Sequence, residues 1–121
     1  MCNEIIAILF LSRDIAHREH LKTTSYAAHV ALQEFYEGII PLADQLAETY
    51  QGRYSALKTI PYLKPEGAET VVDELEFQLE EIESLRQEVF GKGWKDTALQ
   101  NIVDEIVALF LQTLYKLRRF K

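Results

Sequence analysis

Apolar residues recur along most of this chain at steps of three and four, the repeat of helices that bury one side. No segment alternates apolar and polar residues as a half-buried strand would. The first stretch predicts a helix over about Asn3–Leu21, with Ile5, Ile8, Leu9, Ile15 and Ala16 inward and Ile6 and Phe10 widening the stripe. Thr23, Thr24 and Ser25 interrupt it, and short hydroxylated side chains suit both a turn and an N-cap. A second helix is expected from Tyr26 to Tyr50, its core positions Ala28, Leu32, Phe35, Ile39, Leu42 and Leu46 alternating steps of four and three. Gly52 then suits a C-cap. The connection from Arg53 to about Gly67 carries Pro61 and Pro65.

The third helix, about Ala68–Phe90, turns Val72, Leu75, Leu79, Ile82 and Val89 inward. Its acids Glu69, Asp73, Glu74, Glu76, Glu80, Glu81, Glu83 and Glu88 are expected to form a solvated face. Gly91-Lys92-Gly93 predicts a tight turn, with Trp94 packing over the end of the domain. Thr97 and Gln100 have capping-box spacing for a last helix, and Asp96 competes for the cap. That helix aligns Leu99, Ile102, Ile106, Leu109, Thr113 and Leu117. Four such helices over residues 1–121 make a single all-α domain, a four-helix bundle. Fifteen connecting residues reach up to roughly 50 Å, more than a bundle length of roughly 35 Å. Both a plain up-down bundle and one with a long crossover are therefore open.

Composition narrows the function. A hydrophobic content of 48 % supports a packed core, and a net charge of −6 argues against nucleic acid or an anionic membrane as partner. The cations Lys116, Arg118, Arg119 and Lys121 suit the C-terminal end of a helix dipole. Cys2 is the one cysteine, so no intrachain disulfide forms and a reducing cytoplasm is the expected compartment. The apolar run Ile5–Leu11 is too short to span a bilayer and leads to no cleavage site. No glycine-rich phosphate loop, paired-cysteine zinc motif or nucleophile elbow is present.

The candidate chemistry lies in the first two helices. His17, His20 and His29 fall close together, and Asp44 and Glu48 follow on the second helix. Imidazole and carboxylate are ligands of iron, zinc and manganese. His29 and Asp44 are fifteen residues apart, roughly 22 Å along a helix, so one ion cannot touch both within a chain. The stripe His29, Gln33, Tyr36, Ile40, Asp44, Glu48, packed antiparallel on its own copy, would bring His29 of one chain to Asp44 and Glu48 of another. The two-fold axis would then pass near Gly38, where a helix-interior glycine permits close backbone approach. Asp14-x-x-His17 matches half of a di-iron bundle motif, but the last two helices contain no histidine, which excludes that site within one chain.

The segments AHREHLKTTSYAAH, FYEG and LADQLAETYQG, running from His17 to Glu48 and the glycine beyond, resemble the Dps family of ferritin-like proteins. Gln33 stands where that family usually has a further aspartate, and the chain has no basic N-terminal tail. The resemblance implies a ferritin-like bundle and an Fe²⁺ site between two-fold-related subunits, with possible ferroxidase activity. His17 and His29 would come from one chain and Asp44 and Glu48 from its partner, His20 being the weaker histidine. Zinc or manganese would fit the same donors. The short length and long acidic third helix look like reduced ferritin-like proteins encoded by some phages. The alternative is a non-catalytic helical dimer acting as an interaction or inhibitor protein.

Overall fold

The computed structural model describes residues 1–121 as four helices: α1 (Cys2–Lys22), α2 (Tyr26–Arg53), α3 (Val71–Val89) and α4 (Thr97–Arg119). The apolar stripes close on a common core, giving the all-α four-helix bundle that the periodicity predicts. α1 and α4 each pack against α2 and α3, which places α1 diagonally from α4 and α2 from α3.

Contacts at each seam pair rising numbers with falling ones. His17 and His20 meet Tyr36 and His29 between α1 and α2. Between α2 and α4, Glu34 pairs with Lys116, and Gly38 faces Leu109. Glu76 pairs with Arg118, and Arg86 with Asp104, between α3 and α4. α1 meets α3 through Ser12 and Gln78, with Ile8 near Leu85 and Arg18 near Val71. All four seams are antiparallel, so α1 and α4 run one way while α2 and α3 run the other.

Parallel α2 and α3 require the segment between them to travel the length of the bundle. Residues 54–70 do so across α1. Asn3 Nδ2 donates to the Thr59 carbonyl at 2.9 Å. Ile60 to Leu63 flank Ala7, Phe10 and Leu11, and Pro65 and Ala68 reach the end of α1 beside Arg18 and Lys22. The bundle therefore has one long crossover rather than plain up-down connectivity.

The crossover is fastened by a side chain expected in solvent. Glu74 is buried, and its carboxylate accepts from the backbone N–H groups of Gly67 at 2.7 Å, Ala68 at 2.9 Å and Glu66 at 3.3 Å. Gln78 Nε2 donates to the same carboxylate at 3.3 Å, and Gln78 Oε1 lies 2.6 Å from Ser12 Oγ. A buried polar chain thus links α1, α3 and the crossover. Burial of a carboxylate is tolerable here because hydrogen bonds replace its water.

Several local expectations shift. α3 starts at Val71, with Thr70 Oγ1 accepting from Asp73 N at 3.1 Å, so Ala68 and Glu69 stay in the crossover. α2 continues through Gly52 to Arg53. Asp96 precedes α4 without capping it. Its carboxylate instead accepts from Gly91 N at 2.5 Å and from the Tyr54 hydroxyl, closing the α3–α4 turn onto the end of α2. That hydrogen bond to Asp96 raises the Tyr54 pKa. Trp94 stands 73 % exposed between Arg53 and Lys95 rather than over the bundle end, and Phe10 is partly exposed under the crossover.

Core truncations should be costly. We expect Leu46→Ala and Ile106→Ala each to cost about 2–5 kcal/mol, because both are fully buried. Glu83→Ala on the exposed side of α3 should stay within about 0.5 kcal/mol. Glu74→Ala should cost about 1.5–3 kcal/mol by unfastening the crossover, unlike its acidic neighbours. Urea denaturation curves measure all four, and a Glu74 value equal to that of Glu83 would contradict the network.

The Cys2 thiol is buried, and desolvation pushes its pKa up to about 11. It should therefore remain protonated at neutral pH and react with a disulfide reagent only as fast as the protein opens. Rapid labelling of the folded protein would contradict this.

Candidate metal centre

The end of α1 and the start of α2 meet across a three-residue turn. Ser25 caps α2, its Oγ accepting from Ala28 N at 3.2 Å, and Ser25 N donates to Thr23 Oγ1 at 3.2 Å. This turn sets His20 opposite His29. Their rings stack with centroids 3.7 Å apart and planes 19° from parallel. Each ring also binds the other residue's backbone: His20 Nδ1 lies 2.6 Å from the His29 carbonyl, and His29 Nδ1 lies 2.8 Å from the His20 carbonyl.

A carbonyl oxygen only accepts, so both Nδ1 atoms carry the proton. In the neutral rings Nε2 then holds the lone pair. A metal-binding histidine commonly has this arrangement, its far nitrogen donating to a carbonyl that fixes ring and tautomer. Stable packing alone also accounts for it. His20 is buried, whereas His17 and His29 are partly exposed. His17 stacks on Tyr36 at 4.3 Å and lies 6.2 Å from the His20 ring. Tyr26 flanks His29 at 6.2 Å, and the Arg13 guanidinium sits 5.9 Å from the Tyr36 ring.

All three histidines are thus brought into one cluster, and the two carboxylates are not. Asp44 and Glu48 are exposed on α2, roughly 22 Å and more along the helix from His29. Successive steps of four exceed the 3.6-residue turn, so the stripe winds around α2 instead of following one side. Tyr36 consequently rests on α1 while Glu48 faces solvent. No set of three or more histidine, cysteine, aspartate or glutamate side chains within the chain is placed to hold a metal ion.

Gly38 has a reason inside the chain. A Cβ there would lie 3.2 Å from Leu109 Cδ2, so the missing side chain lets α4 approach α2. The contact with Leu109 accounts for the glycine without a second chain. Two further contacts escaped sequence reading: the reciprocal His20–His29 pair and the His17–Tyr36 stack. For the first pair the signal was numerical, since His20 and His29 lie at nearly equal distances on either side of the Thr23–Ser25 turn; His17 and Tyr36 do not, and their contact follows from the packing of α1 on α2.

The model of a family of unknown function, DUF5856, matches residues 20–117, and the chain belongs to this family. The match includes His20, His29, Asp44 and Glu48 and begins after His17. The chain is also similar to a phage protein, the uncharacterized 14.6 kDa protein in the mobD-ri intergenic region of Enterobacteria phage T4. The two are 27 % identical over 118 residues, covering 95 % of this chain and 86 % of that protein. No solved structure matches the chain. A link to phage proteins agrees with these findings, while the Dps likeness rests on the His17–Glu48 residues alone.

The buried ring should matter more than the open one. His20→Ala removes a stacked side chain and a hydrogen bond at the α1–α2 turn, and we expect a loss of about 2–4 kcal/mol. His17→Ala, trimming a partly exposed ring, should cost about 1 kcal/mol. Thermal melts at neutral pH test the order, and a larger effect at His17 would contradict the packing.

Proposed function

We propose that the protein binds Fe²⁺ between two copies, as a reduced ferritin-like bundle. His17 and His29 of one copy and Asp44 and Glu48 of the other supply the ligands. The observation that carries this reading is the His29 ring, whose Nδ1–H is anchored to a carbonyl, leaving Nε2 as a preoriented donor at a partly exposed position. The exposed carboxylates on α2 are accessible to another molecule. The single long crossover supports a ferritin-like fold, although fold alone assigns no activity.

Two imidazoles and two carboxylates are a donor set that suits Fe²⁺ and also accepts zinc or manganese. The imidazoles favour the ferrous ion, and the carboxylates favour the harder ferric ion, so the combination is compatible with oxidation of bound iron. His20, buried and tied to the His29 carbonyl, holds its neighbour in place. The buried free thiol of Cys2 is at home in a reducing cytoplasm. No helix of the chain is long and apolar enough to cross a membrane.

Subunit mixing tests the shared centre. His29→Ala alone and the Asp44→Ala/Glu48→Ala pair should each abolish tight binding in Fe²⁺ titrations under anaerobic conditions. In a heterodimer of the two, one site receives every lesion and the other receives none, so about half of the normal capacity should return within that heterodimer after subunit exchange. No recovery after verified exchange, or no metal uptake by the unmutated protein, rejects the reading and leaves a non-catalytic helical interaction protein.

A further inference from the structure

The outer side of α4 carries apolar groups that the bundle does not use. Leu111 and Tyr115, one turn apart, are each 52 % exposed, and Ala108 is exposed beside them. Tyr115 is braced by Phe120, the two rings meeting edge-on at 5.8 Å. Around this patch the charges are arranged by sign. Asp104 and Glu105 lie toward the start of α4, and Arg118 and Arg119 at its end.

Three of the helix's charges are already matched within the chain: Asp104 by Arg86 at 2.7 Å, Lys116 by Glu34 at 3.5 Å and Arg118 by Glu76. Glu105 and Arg119 are exposed and form no ion pair in the chain. They lie fourteen residues apart, roughly 21 Å, with the apolar patch between them.

That arrangement complements itself when reversed. We infer that the outer face of α4 docks antiparallel on the same face of a second copy, about a two-fold axis between Leu111 and Gln112. In an isologous pair, residue i meets residue j and j meets i. This axis sets the small Ala108 against the large Tyr115, with Glu105 and Arg119 of the other copy (twice over) and Leu111 and its own equivalent each within one residue of direct register. Small-against-large packing lets helices approach, and opposite charges at the rim fix the direction. A parallel pairing would align like charges instead.

The surface is one helix face per copy, so the association belongs with the small interfaces below roughly 1,200 Å², which are weak and exchange rapidly. It is distinct from the α2 face invoked for metal binding and does not depend on that reading.

Charge reversal tests it without disturbing the core. Sedimentation equilibrium of the unmutated protein up to about 500 µM should show association, and Glu105→Arg or Arg119→Glu should each weaken it by about tenfold, since two attractive contacts become repulsive. The chain carrying both changes should regain it, as should an equimolar mixture of the two single variants, in which every reversed charge again meets its opposite. If α2 pairing also occurs, the single variants lower the mass observed at a given concentration and leave metal capacity unchanged. A monomeric unmutated protein, single reversals without effect, or weakened association that neither the double change nor the mixture restores would each overturn the inference.

Discussion

Because α2 and α3 run parallel on opposite corners of the bundle, the chain must carry residues 54–70 from one end of the molecule to the other. A segment of that length with no regular structure has backbone groups to satisfy and considerable entropy to lose. Three fastenings meet this demand. Asn3 takes the Thr59 carbonyl near the start, Ile60 packs against the core, and the buried Glu74 collects successive backbone N–H groups at the far end. Charge-assisted hydrogen bonds of this kind are among the stronger polar contacts, and one carboxylate here holds both the crossover and the start of α3. The order of helices in the bundle thus depends on an acid in the middle of an acidic run.

The same economy governs the α1–α2 seam. The turn Thr23–Ser25 is short enough to oppose His20 and His29, and each ring binds the other residue's carbonyl. Stacked at 3.7 Å, two neutral imidazoles pack well, whereas two imidazolium ions would repel. The bonds also settle the tautomer, which neither residue type nor spacing could do. His20 is buried and bound to the His29 carbonyl, whereas His29 is partly exposed.

Helix number, approximate bounds and most core positions were legible from periodicity because burial of one face is a repeating constraint. Leu32, Phe35, Ile39 and Leu46 succeed one another on a single side, and all four are fully buried. The failures have a shared cause: they depend on a partner distant in sequence. Glu74 looks like Glu76 or Glu80 until the crossover returns to it. Asp96 resembles an N-cap until Tyr54 and Gly91 claim its carboxylate. Gly38 gives no sign in sequence that Leu109 of α4 packs over it. Of the candidate site, the three histidines gather at the α1–α2 seam, while Asp44 and Glu48 lie further along α2 and exposed.

Any role for α2 in association is limited by how the helix divides its circumference. One side carries Leu32, Phe35 and Ile39 into the core, a second gives Tyr36 and His29 to α1, and a third gives Gly38 to α4. Glu37, Pro41, Asp44 and Glu48 have only solvent left to face. A two-fold pairing there would set the Glu37 side chains of both copies near one another at the axis, a repulsion without a matching attraction at its centre. Such a pairing needs positive charge to hold it, and bound cations at the two His–carboxylate ends would provide it. Metal binding and α2 association are then linked by mass action: the ion that joins the ligands also offsets the repulsion, so each should strengthen the other. On α4 no such help is needed, because the opposite charges already lie at the two ends of the exposed face.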